Sequence, residues 1–215
     1  MHLKNTTRAQ LVDYLAGQLD HRFPDHVKDA RAAIDRDLDH ALDRFGTCAN
    51  AVALWRPDEF YYLHSEQNTV FLYYLANTIW RNRQHENVCA KLFYLNKALN
   101  GFSCFYDVAL PDIFFVGHSP GIVLMRTTYG NYFAVYQNCT VGQNNGAKPV
   151  IGERVLMYPN SAILGACQVG SGTVVANGAA IIDRDTPGDC LAVGRGSTLA
   201  FKPRNRNYLG DVFRI

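Results

Sequence analysis

The chain has 215 residues, enough for one or two domains, and 48% of them are hydrophobic, which suits a substantial core. A formal charge of +2 gives no reason to expect a nucleic-acid partner. The longest apolar stretch, around Val70 to Ile79, is too short to span a bilayer. Six cysteines without a Cys-x-x-Cys pair read as free thiols. With no apolar leader after Met1, they lead us to expect a cytoplasmic protein.

Residues 1 to about 100 read as helices. Leu11, Tyr14, Leu15 and Leu19 share one helical face, with Thr6 or Thr7 as N-cap. After Pro24, the residues Val27, Ile34, Leu38, Leu42 and Phe45 repeat at helical spacing, and Gly46 is the expected stop. A short helical piece is expected from Ala51 to Trp55. Ser65 is placed to cap a third helix running through Trp80. That helix is apolar on nearly every side, so it should be buried in its own domain or against another subunit. A fourth carries Val88, Leu92, Leu95 and Leu99, and Asn100-Gly101 ends it.

From about residue 103 the pattern changes to a beat of six. Ile151, Met157, Ile163, Val169, Val175 and Ile181 follow one another at that interval, and Val123, Tyr129, Val135 and Val141 keep it upstream. Small residues such as Ser161, Cys167, Thr173 and Ala179 stand four places later. A fixed six-residue period is the mark of a parallel β-helix: three short strands make a coil, and coils stack at about 4.8 Å. Gly130, Gly142, Gly152 and Gly170 follow apolar positions at the corners. Cys139 and Cys167 fill small turn positions, so they read as packing rather than as nucleophiles. The beat breaks between Val141 and Ile151, where four extra residues should leave the prism as a loop beside the site. Past Asp185 we expect a loop, a last strand and a basic tail with Lys202, Arg204 and Arg206. The expected organisation is a helical oligomerisation domain over 1–102, a β-helix over 103–203 and a tail over 204–215. The fold class is α+β.

Four strings carry a resemblance to a known family. They are His-Ser-Glu-Gln-Asn at 64–68, Leu-Pro-Asp-Ile-Phe-Phe-Val-Gly-His-Ser-Pro-Gly-Ile-Val-Leu at 110–124, Gln-Asn-Cys-Thr-Val-Gly at 137–142 with Lys-Pro-Val-Ile-Gly at 148–152, and Val-Ala-Asn-Gly-Ala at 175–179. Over roughly residues 47–203 the chain resembles the serine acetyltransferase group of hexapeptide-repeat acyltransferases. The resemblance implies a left-handed β-helix and acetyl transfer from acetyl-CoA, with no metal. It also implies a homotrimer or a dimer of trimers.

His118 matches the family's catalytic base, and it is the sole histidine after residue 85. An imidazole can take the proton of a hydroxyl near neutral pH. The family's orienting aspartate is not reproduced at its usual spacing, where Ser103 stands; Asp107 and Asp112 are the nearest acids in sequence. Two departures bear on the acceptor. Gly117 replaces an aspartate that helps hold the serine amino group, and Ala147-Lys148 replaces an Arg-His pair that grips its carboxylate. Lys148 becomes the candidate acceptor ligand. A sugar hydroxyl becomes as credible an acceptor as serine, since a lone lysine lacks the bidentate fork of arginine. For acetyl-CoA the resemblance implies Gly165-Ala166 and Ala176-Asn177 along the pantetheine arm, with Lys202 and Arg204 toward the phosphates.

Two further readings stay open. One is an N-acetyl or formyl transferase acting on an amino sugar. Another is a non-catalytic scaffold partnering cysteine synthase, which the terminal Ile215 would suit. A zinc anhydrase on the same coil is rejected, because it needs three histidines and the coil offers one.

Overall fold

A computed structural model describes residues 1–25, 29–83 and 85–215. In chain order, a two-residue strand β1 (His2–Leu3) precedes helices α1 (Arg8–Arg22) and α2 (Ala30–Ala51). Then come β2 (Glu59–Phe60), which pairs with β1, and helices α3 (Ser65–Arg83) and α4 (Glu86–Asn100). The remainder is a parallel solenoid of about five turns. Its strands are β3 (Phe102–Cys104), β4 (Phe114–Gly117), β5 (Ile122–Leu124), β6 (Thr128–Tyr129), β7 (Phe133–Tyr136), β8 (Thr140–Gly142) and β9 (Val150–Ile151). They continue as β10 (Leu156–Met157), β11 (Ala162–Leu164), β12 (Gln168–Val169), β13 (Val174–Val175), β14 (Ala180–Ile182), β15 (Cys190–Val193) and β16 (Ala200–Pro203).

The strands sort into three faces. The first holds β4, β7, β10, β13 and β15, closed by antiparallel β16. The second holds β3, β5, β8, β11 and β14, and the third β6, β9 and β12. The beat is what drives this arrangement. Met157, Ile163, Val175 and Ile181 have no exposed surface, and Ile151 and Val169 are buried beside them. Each pairs in register with its counterpart one coil away, for example Ile163 with Ile181 and Met157 with Val175. At the corner after β6 and β9 the coils come very close: a Cβ on Gly130 would lie 2.5 Å from the Glu153 nitrogen. Only glycine fits there.

The helices form as the spacing dictates, with three differences. Thr7 makes a capping box with Gln10 at the start of α1. Gly46 does not stop α2, which runs on to Ala51; its bare Cα instead lets Met1 pack against the helix, where a Cβ would meet the Met1 methyl at 2.9 Å. The expected helical piece from Ala51 to Trp55 is therefore the end of α2 followed by turn, with Val52 bridged to Phe213. Ser65 is the first residue of α3 rather than its cap, and its hydroxyl donates to Glu66 at 2.8 Å. Val27 lies outside the described residues.

Residues Gln67 to Ile79 of α3 are all buried, with α2, α4 and β4 packed around the helix. Its apolar girth is thus satisfied inside this one chain and no longer argues for a partner subunit. The beat also fails at one place. Counted upstream past Tyr129 it lands on Val123, but the register sets Leu124 opposite Val141 and turns Val123 outward, 44% exposed. The basic tail is folded back. Tyr208 packs edge-on to Tyr158 and Phe213 to Tyr132, and Arg214 bonds the carbonyls of Asn50, Val52 and Trp55.

Candidate active site

The corner joining the first face to the second turns, in successive coils, on Gly121, Asn138, Asn160 and Gly178. Each has positive φ, between 57° and 81°. Glycine and asparagine are the residues that tolerate this conformation. The uppermost corner is longer than the rest. Six steps lead from Gly117 to Val123, but four from Tyr136 to Thr140 directly beneath. The two added residues bring a second left-handed residue, His118, with φ 51°. A histidine there carries a conformational cost of about 1 kcal/mol that asparagine would largely avoid. Its side chain is 71% exposed.

Two helix ends hold this corner. Gly101, the left-handed C-cap of α4, accepts the Gly121 N–H at 3.1 Å, and a Cβ on Gly101 would fall 2.9 Å from Pro120 Cα. The first turn of α3 supplies Glu66, whose Oε1 lies 3.5 Å from His118 Nδ1. The other oxygen takes the Ser65 hydroxyl and lies 3.3 Å from His64 Nδ1. Burial alone would raise the Glu66 carboxyl, but the Ser65 hydroxyl, its own backbone N–H, His64 and His118 outweigh it and hold the group below the ordinary value. Trp55 packs against both His64 and Phe115, tying this helix end to the first face.

The two acids expected to orient His118 are elsewhere. Asp107 pairs with Arg126, and its Oδ1 is buried without a hydrogen-bond partner among the described residues. Asp112 is exposed and, with Asp107, lines a cavity of about 540 Å³ that also meets Arg81 and Glu153. Among the described residues, the carboxylate within 4 Å of His118 is that of Glu66. Inspection of the coil alone missed it, because it arrives from the helical region. The string His-Ser-Glu at 64–66 was the available signal.

Gly117 is closed to any side chain: a Cβ would sit 2.6 Å from the Tyr136 ring and 2.8 Å from Phe115. Tyr136 stacks in turn on Tyr158, with centroids 5.8 Å apart. Lys148 is exposed on the inserted loop. The loop closes through reciprocal Asn144–Ala147 backbone bonds over Asn145 and Gly146, both with positive φ, the form of a tight hairpin turn. Asn144 also bonds Asp183 at 2.5 Å. Lys148 and Gly165-Ala166 thus belong to the corner between the second and third faces, while His118 and Ala176-Asn177 belong to the corner between the first and second. One chain does not bring the two groups together.

The Ala166 N–H is already donated to Asp183 at 2.8 Å and the Ala176 N–H to Ala192 at 2.9 Å, so neither amide is free for a ligand. Arg204 pairs with Asp189 at 2.6 Å, whereas Lys202 and Asn177 are exposed. All six cysteines are buried and unpaired. No helix among the described residues is long and apolar enough to cross a membrane.

No protein-family model matches the sequence, and no curated protein does. Solved structures do. A serine acetyltransferase from Neisseria gonorrhoeae superposes with a TM-score of 0.72 over 97% of this chain and 84% of its own, at 15% identity. One from Vibrio cholerae gives 0.67 over 96% and 83%, at 17%. A serine acetyltransferase in complex with CoA gives 0.69 over 92% and 86%, at 17%. This chain has their fold: helices first, then the parallel solenoid. At such identities the likeness extends to the fold alone.

Proposed function

We propose that the protein is an acetyl-CoA-dependent O-acetyltransferase with His118 as general base. The observation that carries the reading is an exposed imidazole on a left-handed corner lengthened by two residues, backed by a carboxylate, in a solenoid shared with serine acetyltransferases. A regular coil has no residue at that place: its left-handed position is Gly121, level with Asn138, and His118 is an addition to it. A side chain held in a sparsely populated backbone region is the kind of local strain that clusters at functional sites.

In the proposed reaction His118 Nε2 takes the proton of the acceptor hydroxyl. The oxygen attacks the thioester carbonyl, the new C–O bond forms and the C–S bond breaks, and the imidazolium returns its proton to the CoA sulfur. No acyl-enzyme is needed. The site is completed by a neighbouring subunit in a homotrimer or a dimer of trimers, because Lys148 and His118 occupy different corners of one prism. In the groove between two prisms, Asn177 and Lys202 are the exposed candidates to meet acetyl-CoA. The acceptor is a hydroxyl compound. The filled space at Gly117 and the single cation at Lys148 favour a sugar hydroxyl over serine. The scaffold reading gives no account of an exposed imidazole backed by a carboxylate.

The test is release of CoA thiol from acetyl-CoA with serine, simple glycosides and amino sugars offered separately. Turnover with a hydroxyl acceptor that His118→Asn abolishes is the expected result. Turnover that persists unchanged in that variant removes His118 from the mechanism. Acetylation confined to amines replaces O-transfer with N-transfer.

A further inference from the structure

The coil around His118 carries no acid able to hold the imbalance of charge that forms when a histidine accepts a proton. Asp107 is engaged by Arg126, and Asp112 opens on a different cavity. We infer that Glu66, at the start of α3, is the positioning residue of His118, so that the helical region completes a base which the solenoid alone leaves unfinished. This rests on the acetyltransferase reading for its consequence, though not for its geometry.

The argument is one of donors and acceptors. An ionised carboxylate can only accept, so the ring nitrogen facing it must carry the proton. Glu66 Oε1 lies 3.5 Å from His118 Nδ1, at ion-pair range, a separation that commonly shortens once substrate fills a site. The Glu66 side chain is 21% exposed and is itself held by the Ser65 hydroxyl, so its orientation is fixed before the imidazole moves. With Nδ1–H turned toward Glu66, Nε2 keeps its lone pair and faces away, free to take a hydroxyl proton. The imidazolium that results has a counter-charge in place. His64, whose Nδ1 lies 3.3 Å from the far oxygen of Glu66, turns the same nitrogen to the Gln67 N–H as an acceptor, so it leaves the carboxylate to His118.

Helix and corner also form one mechanical unit. The corner that bears His118 rests on Gly101 at the end of α4, and Trp55 bridges His64 to Phe115 of β4. The distance between Glu66 and His118 is therefore set by the packing of helices on solenoid.

The experiment uses the full-length protein and the variant Glu66→Gln, which preserves size and can still accept from Ser65. Two-dimensional nitrogen–proton spectra of the histidine rings, recorded where the imidazoles are neutral, report the tautomer directly, with the His118 signals assigned by their loss in His118→Asn. The expected result is Nδ1–H in the parent and Nε2–H in Glu66→Gln, because the amide can donate to Nδ1. In parallel, kcat for acetyl transfer should fall by at least about 100-fold while the KM for acetyl-CoA stays within about twofold. An unchanged tautomer overturns the inference, as does an unchanged kcat in an enzyme that turns over. A tautomer switch in a protein that transfers no acetyl group to any acceptor leaves the positioning role standing and brings down the functional reading instead.

Discussion

Replacing His118 with asparagine should remove activity without weakening the fold. The parent residue sits at φ 51°, a left-handed region that costs an L-residue about 1–2 kcal/mol and asparagine the least of the side chains. Asparagine already occupies the same region at 138 and 160, at φ 57° and 60°. Against that gain stands the loss of the contact with Glu66. The imidazole is 71% exposed, so this contact contributes at most about 1 kcal/mol. The balance lies between zero and roughly 1 kcal/mol in favour of the variant. For a chain of this size that corresponds to a melting temperature unchanged or raised by up to about 4 °C. Differential scanning calorimetry measures the first effect and CoA release the second, where a loss of about 100- to 10,000-fold is expected for a missing general base. A variant that melts several degrees lower yet still transfers acetyl groups would refute the reasoning, since it would make His118 a packing residue.

Four other outcomes follow. Gly117→Asp should destabilise by about 1–3 kcal/mol through overpacking against Tyr136, read as a lower denaturant midpoint; an unaffected midpoint would mean the ring moves aside freely. His118→Asn and Lys148→Ala subunits, each impaired alone, should regain activity when unfolded and reassembled together, because one mixed interface then carries both intact residues; no recovery would place the site within a single chain. The thiols should resist a disulfide reagent at pH 8 until the protein unfolds, since burial pushes Cys48 up to about 11 and Cys89 up to about 12. The fifth concerns acid. Glu66 is held below its ordinary value in the folded state, so it contributes stability above the unfolded carboxyl value near 4.3, and that contribution is lost as the pH falls through the depressed value. Glu66→Gln should therefore flatten the loss of stability below about pH 4.5, and an identical acid limb in both proteins would contradict the assignment.

The solenoid was legible in the sequence because its cause is periodic. A side chain that must point inward every sixth place leaves a mark that counting recovers, and Met157, Ile163, Val175 and Ile181 behave accordingly. The count failed at Val123 because the coil drops one residue between the inward Leu124 and Tyr129, and an average period hides such a local change. Gly46 misled for a related reason. Glycine marks a helix end when the chain must turn left-handed, and Gly46 keeps helical backbone within α2. Glu66 was invisible to periodicity altogether. Its position beside His118 depends on how α3 docks against β4, and no spacing between residues 66 and 118 encodes that.

In the proposed reading the chemistry of the chain collects where the repeat is broken. A coil that kept its period everywhere would present corners of one shape, and none would be set apart from the next by its backbone. Two extra residues at the first corner make room for an imidazole and bring it to an acid from outside the coil. Four extra residues at another corner lift Lys148 clear of the prism, on a hairpin pinned by Asn144 to Asp183. Each irregularity is held by rigid neighbours: the first corner lies between the next coil and the end of α4, and the second is tied to the coil below it through Asp183. This is why residues at sites of poor local preference can still be fixed well enough to act: the repeat supplies the stability, and the interruptions spend a small part of it on function.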